Sequence, residues 1–174
     1  MPDFSKIRYV VLDVDGTLTD GGIYYDSEGN ESKRFDVRDG LGIKAGIAAG
    51  LTMVILTGRT SPMVVRRAKE LGIHQVISGA KIKYPHLKRW MDQNDISTDE
   101  ICYIGDDWND LECMKAAAVC MCPADAAEEV KMISDYTAST SGGHGAVRDC
   151  MQVILKDMQK WEVACEQLYF SKGG

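Results

Sequence analysis

The sequence predicts an α/β protein of three layers, a parallel sheet with helices on both faces. Two observations carry this. Short apolar runs rich in β-branched residues alternate with helical patterns from one end of the chain to the other. The helical segments between them have the length of βαβ crossovers, which bring successive strands side by side in parallel.

The elements follow in order. Ile7–Val14 reads as the first strand, ending on carboxylates. Gly22–Asp26 and Glu31–Val37 flank the polar turn Ser27-Glu28-Gly29-Asn30 and read as a β-hairpin, an extension at about residues 21–37. Leu41, Ala45 and Ala48 recur at helical spacing up to Gly50. Leu51–Leu56 is a second buried strand, and Ser61-Pro62 opens a helix with an N-cap hydroxyl and a proline at the first position. A strand at Gln75–Ser78 and a helix from about Tyr84 to Gln93 come next. Ile101–Ile104 is a strand, followed by a helix over 108–117, a strand at Val119–Cys122 and a helix near Ala126–Ile133. A strand near Tyr136–Ala138 precedes a long helix from about Gly145 to beyond Lys160. With no repeat, linker or low-complexity tract, residues 1–174 read as one domain.

The formal net charge of −6 argues against nucleic acid or a membrane surface as partner, since both need a basic face. The six cysteines form no CxxC pair and have no histidine at zinc-finger spacing, so they read as reduced, buried thiols of a cytoplasmic protein. The N-terminus lacks an apolar signal-peptide core, and no run reaches the ~18 apolar residues of a membrane span.

Ligands of such sheets bind beyond the carboxyl ends of the strands. Four segments there are polar: Asp13-Val14-Asp15-Gly16, Thr57-Gly58-Arg59, Gly79–Lys83 and Gly105-Asp106-Asp107. Two acidic pairs closing apolar strands repel each other unless a cation intervenes, and Mg2+ prefers hard oxygen ligands. Each pair has another reading, because a strand-end aspartate often forms a turn or caps a helix. Thr57 can be a β-branched strand-end residue, and Lys83 a solvated lysine at a helix start. Lys81 competes with Lys83, since both amines of Lys81-Ile82-Lys83 project the same way in an extended chain.

The run Asp13-Val14-Asp15-Gly16-Thr17, with Thr57, Lys83 and Gly105-Asp106-Asp107 in this order, resembles the haloacid dehalogenase superfamily of phosphohydrolases. The resemblance implies a Rossmann-like fold and two-step hydrolysis. Asp13 would be the nucleophile and Asp15 the acid and base. Thr57 and Lys83 would bind the transferring phosphoryl group. Mg2+ would be held by Asp13, the Asp15 carbonyl and Asp106, with Asp107 or Asp110 orienting a bound water.

Leu12–Asp20, the hairpin, Val37–Lys44, Thr57-Gly58-Arg59 and Gly142–Arg148 are further similar to the capless 3-deoxy-D-manno-octulosonate 8-phosphate phosphatases, over roughly residues 5–158. This similarity implies no cap domain, a phosphorylated sugar acid as substrate, and a substrate site lined by Asp36, Val37, Arg38, Asp39, Gly40, Lys44, Gly58, Arg59 and Arg67. It also implies a homotetramer with sites at subunit interfaces, in which the hairpins build a central barrel. Ile23, Tyr24, Tyr25 and Phe35 give the hairpin an apolar face for this; folding against its own domain is the alternative. Asp36 stands where asparagine is frequent, and His144 where arginine or lysine is frequent, so the Gly142–Gly145 loop carries no permanent charge toward a neighbour. Two other readings stay open: a 2-keto-3-deoxynononate 9-phosphate phosphatase, and a non-catalytic assembly domain like that of CMP-sialic acid synthetases. The tail after Lys160, with Trp161, Tyr169 and Phe170, matches no motif.

Overall fold

The computed structural model describes residues 2–169, so Phe170 lies outside the described residues. In chain order the elements are β1 (Tyr9–Leu12), an antiparallel pair β2 (Tyr24–Tyr25) and β3 (Glu31–Ser32), α1 (Val37–Ala48), β4 (Thr52–Leu56) and α2 (Pro62–Leu71). They continue with β5 (Gln75–Ile77), α3 (Lys83–Gln93), β6 (Ile101–Ile104), α4 (Leu111–Ala116), β7 (Val119–Cys122) and α5 (Glu128–Ile133). β8 (Tyr136–Thr137), α6 (Ala146–Asp157) and α7 (Trp161–Tyr169) complete the series.

The main sheet runs β5-β4-β1-β6-β7-β8 and every pairing is parallel. Side chains alternate between the two faces of each strand, and both faces are buried. Val10, Leu12, Met53, Ile55, Cys102 and Ile104 join a core beneath α1, α2 and α6. Val11, Val54, Leu56, Ile101 and Tyr103 face the other way, into a core with α3, α4 and α5. This is the three-layer sandwich read from the sequence. Cys102, Cys113, Cys120, Cys122 and Cys150 are buried free thiols within it, and Cys165 is free and half-buried. Among the described residues, no helix is long and apolar enough to cross a membrane.

Helix α1 packs directly on α6, and two glycines make the approach possible. A Cβ on Gly42 would sit 2.9 Å from the Arg148 Cα, and one on Gly46 would overlap the methyl groups of Met53 and Met151.

Several boundaries differ from the sequence expectation. Helix α1 starts at Val37 rather than Leu41, because the Asp36 carboxylate caps it by accepting from the Arg38 N–H at 2.7 Å. The expected strand over Glu31–Val37 therefore shrinks to Glu31–Ser32. The long C-terminal helix is two helices. Gln159 takes φ 55°, and the Lys160 N–H bonds back to the Leu155 carbonyl at 2.8 Å, a left-handed stop usually made by glycine. The helix expected over 108–117 begins as a single 3-10 turn at Trp108–Asp110, capped by Asp107.

Candidate active site

β1, β4 and β6 end side by side where the chain order reverses around β1, and the crevice opens there. Asp13 continues the β1 ladder, its N–H bonded to the Ile104 carbonyl at 3.0 Å, which fixes a buried carboxyl at the crevice floor. Lys83, the first residue of α3, sends a fully buried amine to Asp13 Oδ1 at 2.5 Å and to Asp110 Oδ1 at 2.6 Å. Lys81 is exposed, so of the two lysines Lys83 reaches the floor.

Asp110 is the anchor behind this pair. Its Oδ1 also accepts from the Tyr103 hydroxyl at 2.6 Å, and its Oδ2 accepts from the backbone N–H groups of Asp106 (3.2 Å) and Asp107 (3.4 Å). Asp106 accepts from the Thr17 hydroxyl at 2.8 Å. Gly16, at φ 97°, lies so close that any Cβ would overlap the Asp106 carboxylate. Only glycine combines that backbone with that approach.

Carboxylate oxygens of Asp13, Asp106 and Asp110 lie within 4.8 Å of one another. Burial, then the charges of Asp110 and Asp106, push the Asp13 carboxyl well above the usual range, against the pull of Lys83. Burial is also the main reason that Asp106 rises to about 6, with Asp110 adding to it and the Thr17 hydrogen bond opposing. Burial disfavours the Lys83 ammonium, but Asp13 and Asp110 together outweigh it and hold that group above its ordinary value. Three carboxyls thus share one ammonium, and the cluster is short of positive charge. A divalent cation on hard oxygen donors fits that deficit. Asp13 and Asp106 could hold it, whereas both oxygens of Asp110 are already engaged by Lys83, Tyr103 and two backbone amides.

Above the floor is a cavity of ≈ 410 Å³ lined by Asp13, Asp15, Thr57, Gly58, Arg59, Asp107, Trp108 and Asn109. Thr57 is buried at its base, and the Arg59 N–H bonds its hydroxyl at 3.4 Å. Asp107 serves as a cap as well as a wall, accepting from the Trp108 N–H at 2.8 Å.

The structure brings Gly58 and Arg59 to this cavity, and places the other expected substrate residues elsewhere in the single chain. Asp36 is the α1 cap and binds the Arg38 guanidinium at 3.0 Å. Val37 and Lys44 are exposed. Asp39 is buried and accepts from the N–H groups of Arg148 (2.8 Å) and Gly145 (3.3 Å). Gly40 makes room for Arg67, whose guanidinium reaches the Asp36 carbonyl at 3.3 Å and Glu70 at 3.4 Å. His144 is exposed, and Arg148 stacks its guanidinium 4.8 Å from the Trp161 ring centroid.

Four contributors were given no role in the sequence reading. Thr17 holds Asp106, Tyr103 holds Asp110, and Trp108 stands 67% exposed at the cavity lip with its indole N–H on Glu129 at 3.1 Å. The fourth is Lys33, whose amine pairs with Asp15. A signal for it existed: Glu31 and Lys33 are two apart in the expected strand Glu31–Val37, where they would face the same way.

Comparison with known proteins agrees with this geometry. A model of haloacid dehalogenase-like hydrolases matches residues 75–149. The chain is 40% identical to a 3-deoxy-D-manno-octulosonate 8-phosphate phosphatase from Haemophilus influenzae, covering 91% of this chain and 88% of the relative. It superposes with a TM-score of 0.91 on the Moraxella catarrhalis phosphatase of that name, solved in complex with magnesium, phosphate and KDO, at 39% identity over 94% of each chain. A cobalt-bound structure of the Haemophilus influenzae phosphatase aligns with a TM-score of 0.87, at 39% identity over 92% of this chain and 94% of that one.

Proposed function

Because this chain belongs to the 3-deoxy-D-manno-octulosonate 8-phosphate phosphatases, within the haloacid dehalogenase-like hydrolases, we propose that it hydrolyses that sugar acid phosphate through a phosphoryl-enzyme on Asp13. The observation that carries the reading is the floor itself. A buried carboxylate with an ammonium at 2.5 Å opens onto a cavity large enough for a small ester. Asp13 Oδ attacks phosphorus, and the bond to the sugar oxygen breaks as the new P–O bond forms. Asp15 gives the leaving oxygen its proton. It then takes a proton from the water that attacks phosphorus and frees inorganic phosphate. Lys83 and Thr57 face the phosphoryl oxygens and offset the charge developing there. Asp13, the Asp15 carbonyl and Asp106 would hold Mg2+, which would supply the positive charge that the three-carboxyl cluster lacks. Asp110 keeps Lys83 and the Asp106-Asp107 backbone in place.

We further read the molecule as a cytoplasmic homotetramer with sites at subunit interfaces. Ile23, Tyr24, Tyr25 and Val37 are 54%, 45%, 64% and 75% exposed around the hairpin and the start of α1. An apolar surface of this kind seeks a partner. The substrate residues that lie outside the single-chain cavity would then serve the site from such an assembly.

The test is a Mg-dependent panel of octulosonate 8-phosphate, nononate 9-phosphate and common hexose phosphates, compared by kcat/KM, with light scattering on the same sample. The octulosonate should lead by more than ~10-fold, about 1.4 kcal/mol of discrimination. A hexose phosphate in the lead overturns the substrate. A folded, Mg-binding chain that turns over no ester favours the assembly-domain reading.

A further inference from the structure

We infer that Lys33, at the base of the hairpin, is a positioning residue for Asp15. The hairpin thereby completes the active site of its own chain, apart from any role in association. Lys33 follows β3, and its side chain is only 1% exposed. Its amine pairs with Asp15 Oδ1 and lies 3.3 Å from Glu31 Oε1, which in turn is 3.0 Å from Arg59 Nη2. Charges of alternating sign, Asp15, Lys33, Glu31 and Arg59, therefore run along one wall of the crevice, and the first and last of them line the cavity.

A buried lysine is costly to desolvate, and an apolar side chain of similar length would seat the hairpin at less cost. The charge is explained by what it holds. Each floor aspartate has a side-chain partner that fixes its direction: Lys83 for Asp13, Thr17 for Asp106, and Tyr103 with Lys83 for Asp110. Among the described residues, Lys33 is the side chain bonded to Asp15. A proton donor works only within hydrogen-bond reach of the leaving oxygen, so an unheld Asp15 would spend much of its time out of register.

The inference rests on the reading of Asp15 as the proton donor, and its test separates the two. Lys33→Met and Lys33→Arg are measured in the full chain with Mg2+ on two esters. One is the sugar acid phosphate, whose alkoxide leaves poorly. The other is dinitrophenyl phosphate, whose burst of phenolate needs no proton. On the sugar ester, kcat of Lys33→Met should fall about 30–100-fold with KM within about 3-fold, up to the lower end of the ~10²–10⁴-fold that a well-placed general acid contributes. The aryl burst should fall less than about 5-fold, Lys33→Arg should recover most of the sugar-ester loss, and adding Lys33→Met to Asp15→Asn should slow the enzyme no further. Equal losses on the two esters, or a double variant slower by the full product of the single losses, overturn the proposal by marking Lys33 as merely structural. An Asp15→Asn chain that keeps its sugar-ester turnover overturns the reading of Asp15, and the proposal with it.

Discussion

Asp13 with Asp106, and Asp36 with Asp39, are two acidic pairs in one small protein, and the more buried members, Asp13 and Asp39, have partners of opposite kinds. The carboxyls of Asp13 and Asp106 meet side chains, Lys83 and Thr17, and Asp13 lines a cavity. Asp39 accepts backbone N–H groups from Gly145 and Arg148, and Asp36 takes both the N–H and the guanidinium of Arg38. A carboxylate satisfied by its own backbone has become part of the framework. One left to side chains and open space keeps lone pairs for a cation or a substrate. Burial alone does not distinguish the two, since both pairs are buried or nearly so. The identity of the donor does.

The sharpest way to break this contrast is to remove one member of each pair. Asp13→Asn should lower Mg-dependent phosphate release at least about 10³-fold, as loss of a nucleophile does. It should leave the urea midpoint of the metal-free protein unchanged or higher, because it takes one charge from a crowded cluster and leaves Lys83 its bond to Asp110. Asp39→Ala should do the reverse to the fold. Two amides lose their acceptor, and unfolding free energy should drop by about 1–3 kcal/mol. A destabilised Asp13→Asn with normal turnover, or an Asp39→Ala of unaltered stability, would erase the distinction.

The two regions are joined by the loop Gly142–Gly145, which offers a finer probe. Gly142 lies against the Gly16 carbonyl in the catalytic turn, and Gly143 donates to the Thr17 carbonyl at 3.1 Å, while Gly145 donates to Asp39. A methyl group on Gly142 would overlap backbone, which cannot swing aside as a side chain can. Gly142→Ala should therefore cost about 2–3 kcal/mol in chemical denaturation, toward the upper end for a point substitution. It should also weaken Mg2+ binding by calorimetry, since Gly16 sets where Asp106 stands. A variant that melts early yet binds Mg2+ with wild-type affinity would show that the loop supports the framework alone.

What could be read in advance follows the same division. Strands such as Ile101–Ile104 and Val119–Cys122 were legible to the residue, because an apolar run between helices has one place to go in a sheet buried on both faces. Asp13, Asp106 and Lys83 were legible because each stands at the end of a strand or the start of a helix on the same edge. The start of α1 was not, since Val37 continues a strand-like run and the Asp36 cap becomes visible only once α1 has formed. Nor was the break at Gln159, where packing imposes a left-handed residue without the usual glycine. The task of Asp39 depends on amides 106 and 109 positions away, and that of Lys33 on how the hairpin folds back. Such contacts are products of the tertiary fold.

The smallest expected effect is a slope with pH, and it tests Asp39 where Asp39→Ala cannot. Burial is the main reason the Asp39 carboxyl rises from 3.8 to about 6, with Asp36 adding to it and the hydrogen bonds from Arg148 and Gly145 opposing. The folded protein therefore holds this proton more tightly than the unfolded chain. Stability from that preference is fully present below the unfolded value near 4 and is lost as pH rises through about 6. The full shift corresponds to at most about 3 kcal/mol, with an expected size of about 1–2 kcal/mol. Asp39→Asn cannot titrate. Its offset at any one pH mixes charge with an altered hydrogen-bond pattern, so the offset decides nothing. The difference in unfolding free energy between variant and wild type, followed from pH 4.5 to 7.5 without metal, isolates the titration because the floor carboxyls are common to both. That difference should move in favour of the variant as pH rises. A flat difference would mean that the two backbone amides stabilise the Asp39 charge as well as water does, and that the framework pair carries no electrostatic penalty for its burial.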